Sequence, residues 1–303
     1  MTARILTVGE ALTDVVVAVD GQRTEHPGGS PLNVAVALGR LGHESHLLTR
    51  IGPDQRGDVI RTHLAESHAE LTPGSITDAA TSTAEARLDA SGAATYTFDL
   101  IWDPETTGLP TGVDAVHTSS IAAVLDPGAR TVAEVLDRYR DSATLSYDPN
   151  ARPTLMGEAA AARERIEAII ARADVVKTSD EDVTWLYGTD DVEDVVASWR
   201  RRGPGLTVLT RGAEGAVGFT DAGRVQVAPE RVSVADTVGA GDTFSAGILD
   251  ALADRGLLGA QHREALATLP SDEVAAVLRR AARLAAVTVS RAGANPPWSH
   301  ELG

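Results

Sequence analysis

The segment Asp236-Thr237-Val238-Gly239-Ala240-Gly241-Asp242-Thr243-Phe244-Ser245-Ala246-Gly247 decides how the rest of the chain is read. A turn of small residues, Gly239-Ala240-Gly241, leads into a stretch whose apolar positions, Phe244, Ile248 and Leu252, recur at helical spacing. The first amides of a helix have no partner inside it and carry partial positive charge. Glycine lets a phosphate lie close against that backbone. Asp242 stands at this helix start, where it either caps the helix or serves as a base. As a base it takes the proton of a substrate hydroxyl, while Gly239, Ala240 and Gly241 present amides to the charge of a transferred phosphoryl group. No Gly-x4-Gly-Lys-Ser/Thr loop occurs in the chain, so it is not a P-loop protein.

Outside that segment, short apolar runs alternate with longer helical patterns. Strands are predicted at 4–8, 46–51, 115–118, 144–147, 174–177, 206–209 and 216–220, and helices at 31–41, 56–66, 128–140, 155–171, 192–202, 242–255 and 272–290. Strands spaced by helices imply an α/β fold, a doubly wound and mostly parallel sheet covered by helices on both faces. Ligands of such sheets bind beyond the carboxyl ends of the strands. Residues 15–19, 82–88 and 94–100 break the alternation, the last two as a hairpin pattern around Asp89-Ala90-Ser91-Gly92. In the second arm Tyr96, Phe98 and Leu100 share one face, and Thr95, Thr97 and Asp99 the other. These strands read as a small β lid, formed by residues 12–27 and 80–105, on a single domain spanning 1–303.

Polar motifs fall at the predicted strand ends. Gly28-Gly29-Ser30-Pro31 reads as a loop closing on a helix, with Ser30 as N-cap and Pro31 at the first helical position. The two glycines let a ligand lie against bare backbone. Asn33, one turn in, both donates and accepts hydrogen bonds, which matches a polyol or a helix-end bond equally. Glu10 follows the first strand and reads as its exposed terminus. In Asp148-Pro149-Asn150-Ala151-Arg152 the arginine presents a planar cation to an anionic or oxygen-rich ligand, or forms a surface ion pair. His43 and His46 have no third ligand at metal spacing and read as surface or strand-edge residues.

The 303 residues carry a formal net charge of −16, which excludes the dense basic surface that nucleic-acid binding requires. There are no cysteines, so disulfides, thiolate metal sites and thiol nucleophiles are excluded. Neither a leader-like start nor an apolar run of membrane-spanning length is present, and a cytoplasmic protein is expected. Lys177 is the only lysine, either through codon bias or because it is hard to replace.

The segment at 236–244 resembles the C-terminal signature of ribokinase-like (PfkB) carbohydrate kinases, and Gly28-Gly29-Ser30-Pro31-Leu32-Asn33 through Gly42 resembles their N-terminal signature. The likeness covers essentially the whole chain, with intermediate motifs in order. It implies phosphoryl transfer from ATP with Mg²⁺ to a hydroxymethyl group of a sugar. The resemblance implies sugar binding by Asp14 together with Gly28, Gly29, Asn33 and Arg152. It implies nucleotide binding by Lys177, Thr210, Gly212, Gly215 and Gly241. Asp180, one position removed from its competitor Glu181, is the Mg²⁺ residue through water, and Asp236 a monovalent-cation residue, with Pro297 in place of a cation-site serine and K⁺ a further candidate. Gly9-Glu10-Ala11-Leu12-Thr13-Asp14 and Asp148-Pro149-Asn150-Ala151-Arg152 look like fructokinases. 2-Keto-3-deoxygluconate kinase, ribokinase and a sugar-sensing kinase-like binding protein are the alternatives. Asp99 in the lid, with no arginine near it, argues against a sugar acid. A homodimer through the lid is expected.

Overall fold

The computed structural model describes residues 1–89 and 93–302, so the expected hairpin tip at 90–92 lies outside the described residues. In chain order the strands are β1 (Arg4–Val8), β2 (Leu12–Val17), β3 (Arg23–Gly28), β4 (Glu44–Leu48), β5 (Ala69–Leu71), β6 (Thr83–Leu88), β7 (Ala94–Asp99), β8 (Ala115–Ser119), β9 (Thr144–Asp148), β10 (Val175–Ser179), β11 (Leu206–Thr210), β12 (Ala216–Thr220) and β13 (Gly223–Val227). The helices are α1 (Ser30–Arg40), α2 (Gln55–Glu66), α3 (Gly128–Tyr139), α4 (Pro153–Met156), α5 (Ala159–Ile170), α6 (Asp180–Tyr187), α7 (Val192–Trp199), α8 (Ala240–Asp254), α9 (Arg263–Ala267) and α10 (Ser271–Val289).

One large sheet runs β13-β12-β11-β10-β9-β8-β1-β4-β5. From β11 to β5 every pairing is parallel, and β12 and β13 add antiparallel strands at one edge. Its central strands, β1, β8, β9, β10 and β11, are buried on both faces, so they read as continuous apolar runs. On one face Ile5, Ala115, Val175 and Val208 pack against Val34 and Leu38 of α1, Leu249 of α8 and Leu278 of α10. On the other, Leu6, Val116, Leu145 and Val176 pack against Val132 of α3, Ile166 of α5 and Trp199 of α7. The doubly wound sheet covered on both faces is therefore present as expected.

A second sheet runs β3-β2-β6-β7, with β2 and β6 parallel and the outer pairs antiparallel. Thr13, Val15 and Val17 are buried while Asp14, between the first two, turns outward, the period-two alternation of a one-sided sheet. The shared face expected for Tyr96 and Phe98 holds: their rings stack 6.0 Å apart at 6°. Trp102, by contrast, leaves this sheet for the main core, where Nε1 donates to Ala122 O at 3.0 Å.

Several boundaries differ from the sequence expectation. The helix expected at 155–171 is two helices, because Gly157 at φ 74° interrupts it. The strand expected at 46–51 is β4, displaced toward the N-terminus. Strand β3, with its polar Arg-Thr-Glu-His-Pro-Gly sequence, shows no apolar alternation and was not expected. His43 is buried: Nε2 meets Asp250 Oδ1 at 3.2 Å and Nδ1 accepts from the Ala3 amide.

Candidate active site

The parallel strands open their carboxyl ends along one edge, and α1 and α8 begin there. Gly239, at φ 75°, is the N-cap of α8, a left-handed conformation that glycine adopts without strain. No side chain caps this helix. The amides of Gly241 and Asp242 have no hydrogen-bond partner among the described residues, while the Ala240 amide donates to Thr237 O at 3.3 Å, so an anion placed against the Gly239–Gly241 turn meets open donors at Gly241 and Asp242.

Asp242 does not cap its own helix. Its Oδ1 accepts from Ser30 Oγ at 2.6 Å and from Asn150 Nδ2 at 3.3 Å, and its Oδ2 accepts from Asn33 Nδ2 at 2.8 Å. The carboxyl is buried, and desolvation raises its pKa, with Asp148 adding to the rise. Ser30, Asn33 and Lys177 act against that rise by favouring the ionised form. A buried carboxylate so held is an acceptor kept ready for a proton.

The expected N-cap role of Ser30 is corrected: Gly29, at φ 112°, is the N-cap of α1, and the Ser30 hydroxyl is spent on Asp242 instead. Gly29 lies where any Cβ would strike the Glu10 carbonyl. A Cβ at Gly28 would land on Asp14 Oδ2. Asp14 is open to solvent, and its pKa is raised by desolvation in its concave surroundings, against the pull of Arg152 and His26. Arg152 is exposed; its Nη1 donates to Asn150 Oδ1 at 2.7 Å, and Asn150 in turn reaches Asp242. Asp14, Gly28, Gly29, Asn33, Arg152 and Asp242 thus form one connected wall. Asn150 and Ser120 hold positive φ values of 34° and 59° at neighbouring strand ends, local strain of the kind that gathers at functional sites.

Lys177 lies behind this wall. It is 5 % exposed, and Nζ donates to Asp148 Oδ2 at 2.9 Å. A Cβ on Gly241 would come within 2.9 Å of the same Nζ. The ammonium is therefore committed beneath the turn rather than open to the cleft. Thr210 Oγ1 donates to Thr178 O at 3.2 Å on the neighbouring strand, while Gly212 and Gly215 shape the β11–β12 turn, Gly212 with open space around it. Asp180 begins α6, half-buried, and among the described residues its side chain accepts one hydrogen bond, from the Glu181 amide.

Three residues were misread or missed from the sequence. Glu10 is buried, not exposed: its Oε2 has no partner among the described residues, and desolvation pushes its pKa up to about 8. Asp182 was not singled out, yet it is 7 % exposed, forms a capping box with Ser179, and accepts from the Ala151 amide at 2.7 Å. The Ser-x-x-Asp spacing at the start of α6 is the signal for it. Asn150, the bridge between Arg152 and Asp242, was quoted only as part of its motif.

An open helix start, a buried carboxylate at its mouth and a wall of polar side chains in one cleft define a protein that moves an anionic group onto a hydroxyl. A family model for the pfkB family carbohydrate kinases matches residues 2–301, and the chain belongs to that family. The fructokinase of Rhizobium leguminosarum bv. trifolii is 38 % identical over 259 residues, covering 82 % of this chain and 79 % of that one. Among solved structures, fructokinase from Xylella fastidiosa with bound ATP superposes with a TM-score of 0.85 at 26 % identity, covering 100 % of this chain and 97 % of that one. Fructokinase from Vibrio cholerae O395, bound to fructose, ADP and calcium, gives 0.77 at 25 % identity, covering 97 % and 94 %. The chain is a carbohydrate kinase. Among its described residues no helix is long and apolar enough to cross a membrane.

Proposed function

We propose that the protein is a fructokinase, transferring the γ-phosphoryl group of ATP to the 6-hydroxymethyl oxygen of fructose. The observation that carries this reading is the Asp242 carboxylate, held by Ser30 and Asn33 at the open start of α8. The sugar oxygen attacks the γ-phosphorus, the bond from that phosphorus to the β,γ-bridging oxygen breaks, and ADP leaves. The hydroxyl proton passes to Asp242. Gly239, Ala240 and Gly241 stabilise the charge on the migrating group through the backbone. Asp14, Gly28, Gly29, Asn33 and Arg152 orient the sugar, and Thr210, Gly212 and Gly215 lie against the nucleotide.

ATP brings its own divalent ion. Among the described residues no group of three or more acidic or histidine side chains forms a metal cage. Mg²⁺ keeps most of its waters and needs only one or two carboxylates besides the phosphates. Asp180, with one oxygen not engaged in a hydrogen bond, fits that requirement through water, and the ion supplies charge neutralisation between the phosphates. Asp236 keeps a lone pair on each oxygen for a monovalent cation such as K⁺. Its two oxygens accept the amides of Val238 and Gly293, at 3.0 and 2.9 Å.

The second sheet acts as the lid of a single domain spanning 1–303, its segments 12–27 and 80–105 closing over the sugar to keep water from the phosphoryl group. Its outer strands β3 and β7 and the exposed Tyr96 support a homodimer formed through that sheet. A sugar acid is disfavoured by Asp99 on β7. Turnover with fructose, 2-keto-3-deoxygluconate, ribose and adenosine, followed by ADP release, tests the reading. Fructose is expected to rank first by kcat/KM, and a higher rank for any other acceptor overturns it.

A further inference from the structure

The polar layer beneath α8 contains groups that the transfer reaction does not use. Asp148 is 1 % exposed, and its Oδ2 accepts from both Lys177 Nζ and Ser245 Oγ, at 2.9 and 3.1 Å. Ser245 belongs to the second turn of α8, so the Lys177–Asp148 pair is bolted to the helix that carries Asp242. Lys177 Nζ, 2.9 Å from where a Cβ on Gly241 would sit, puts the chain's only lysine against the turn that carries the open amides. A buried ion pair is a costly device where stability alone is at stake, since well-packed apolar residues serve as well.

Resting on the phosphoryl-transfer reading above, we propose that Lys177 is a positioning residue: its buried ammonium, anchored by Asp148, supplies a fixed positive charge behind the first turn of α8 and touches neither nucleotide nor sugar. Two consequences follow from that position. The charge reinforces the helix-start potential that receives the phosphoryl group. It also favours the ionised form of Asp242, which Asp148 opposes.

The charged surroundings are well defined. Asp242 is faced by Asp148 from β9, by Lys177 from β10 and by Glu10 from the end of β1. Lys177 is faced by Asp148, by Asp182 of α6, by Asp242, and by His117 of β8, a histidine that burial and Lys177 itself keep neutral. Removing Lys177 therefore leaves Asp242 with the opposing carboxylates, and its pKa rises. Removing the charge of Asp148 leaves it with the ammonium, and its pKa falls. A purely structural ion pair has no reason to shift the profile in opposite directions when either partner is lost.

The test is the pH profile of kcat/KM for the sugar, whose acid limb reports the free enzyme, in wild type, Lys177→Met, Asp148→Asn and Lys177→Arg. The acid limb is expected to move up by about half a pH unit or more in Lys177→Met and down by a similar amount in Asp148→Asn, as loss of an opposite or a like charge dictates. Lys177→Arg keeps the wild-type limb, and the KM for ATP in Lys177→Met stays within about threefold of wild type, since the ammonium makes no nucleotide contact to lose. Should Lys177→Met fail to fold, the downward shift in Asp148→Asn carries the test alone. Unmoved limbs, shifts in the same direction, or a KM for ATP raised tenfold with an unchanged limb overturn the proposal while leaving the kinase reading standing. A wild-type protein that consumes no ATP with any sugar sinks both.

Discussion

The Ser30 hydroxyl donates to Asp242 Oδ1 at 2.6 Å, joining the first turns of two helices 212 positions apart in the chain. The same Ser30 Oγ lies 2.9 Å from Ser119 Oγ at the end of β8. Both family signatures therefore meet at one carboxylate: the N-terminal one supplies two of its hydrogen-bond donors, Ser30 and Asn33, and the C-terminal one supplies the carboxylate and the turn with the open amides.

Ser30→Ala tests that relationship. A hydrogen bond to a charged group contributes about 1.5–3 kcal/mol, and here it favours the ionised carboxylate. Losing it raises the Asp242 pKa, and because the base acts when ionised, the acid limb of kcat/KM moves to higher pH by roughly one unit. The deficit is expected to be about tenfold below the wild-type limb and to shrink as the pH rises above the new limb. A uniform loss at all pH values contradicts the assignment.

Gly28→Ala separates sugar binding from chemistry. The added methyl falls on the Asp14 carboxylate, the flexible end of a side chain, so Asp14 is displaced rather than the backbone. KM for fructose is expected to rise about tenfold or more while kcat falls much less, the signature of lost uniform binding. An unchanged KM removes Asp14 from the sugar site.

Stability has two opposed titrations. Burial raises Glu10 from 4.5 to about 8, so the folded state holds its proton more tightly than the unfolded state. Stability from this group is complete below its unfolded value and is lost as pH rises through the folded one. His117 is driven from 6.5 to about 3, first by burial and then by Lys177, so the folded state resists its protonation. Its contribution is complete above the unfolded value and is lost as pH falls toward the folded one. Between the unfolded values of Glu10 and His117 the two slopes cancel. Urea titrations from pH 4 to 9 are expected to show a plateau there, with Glu10→Gln flattening the alkaline fall. An alkaline fall that persists in Glu10→Gln contradicts the buried-acid account.

The turn at the start of α8 was legible because its residues are contiguous: Gly239 to Asp242 carry the glycines, the open amides and the proposed base within four positions. The alternation of β1, β8, β9, β10 and β11 with helices was legible for the same reason, since strands buried on both faces show as apolar runs. What was not legible depends on contacts between distant segments. Ser30 has an ideal capping composition, yet Gly29 at φ 112° takes that position and frees the hydroxyl for Asp242. Glu10 reads as a polar strand end until the 120 and 152 loops close around it. Strand β3 owes its place to pairing with β2, not to its own polar sequence.

The most direct measurement is turnover and sugar binding by Asp242→Asn, in which shape is kept and only the proton acceptor is lost. Fructose-dependent ADP release is expected to fall by about 10²–10⁴-fold, the range for removing a general base, while calorimetry shows fructose still bound within a few-fold of wild type. Activity close to wild type in this variant contradicts the assignment of Asp242 as the base.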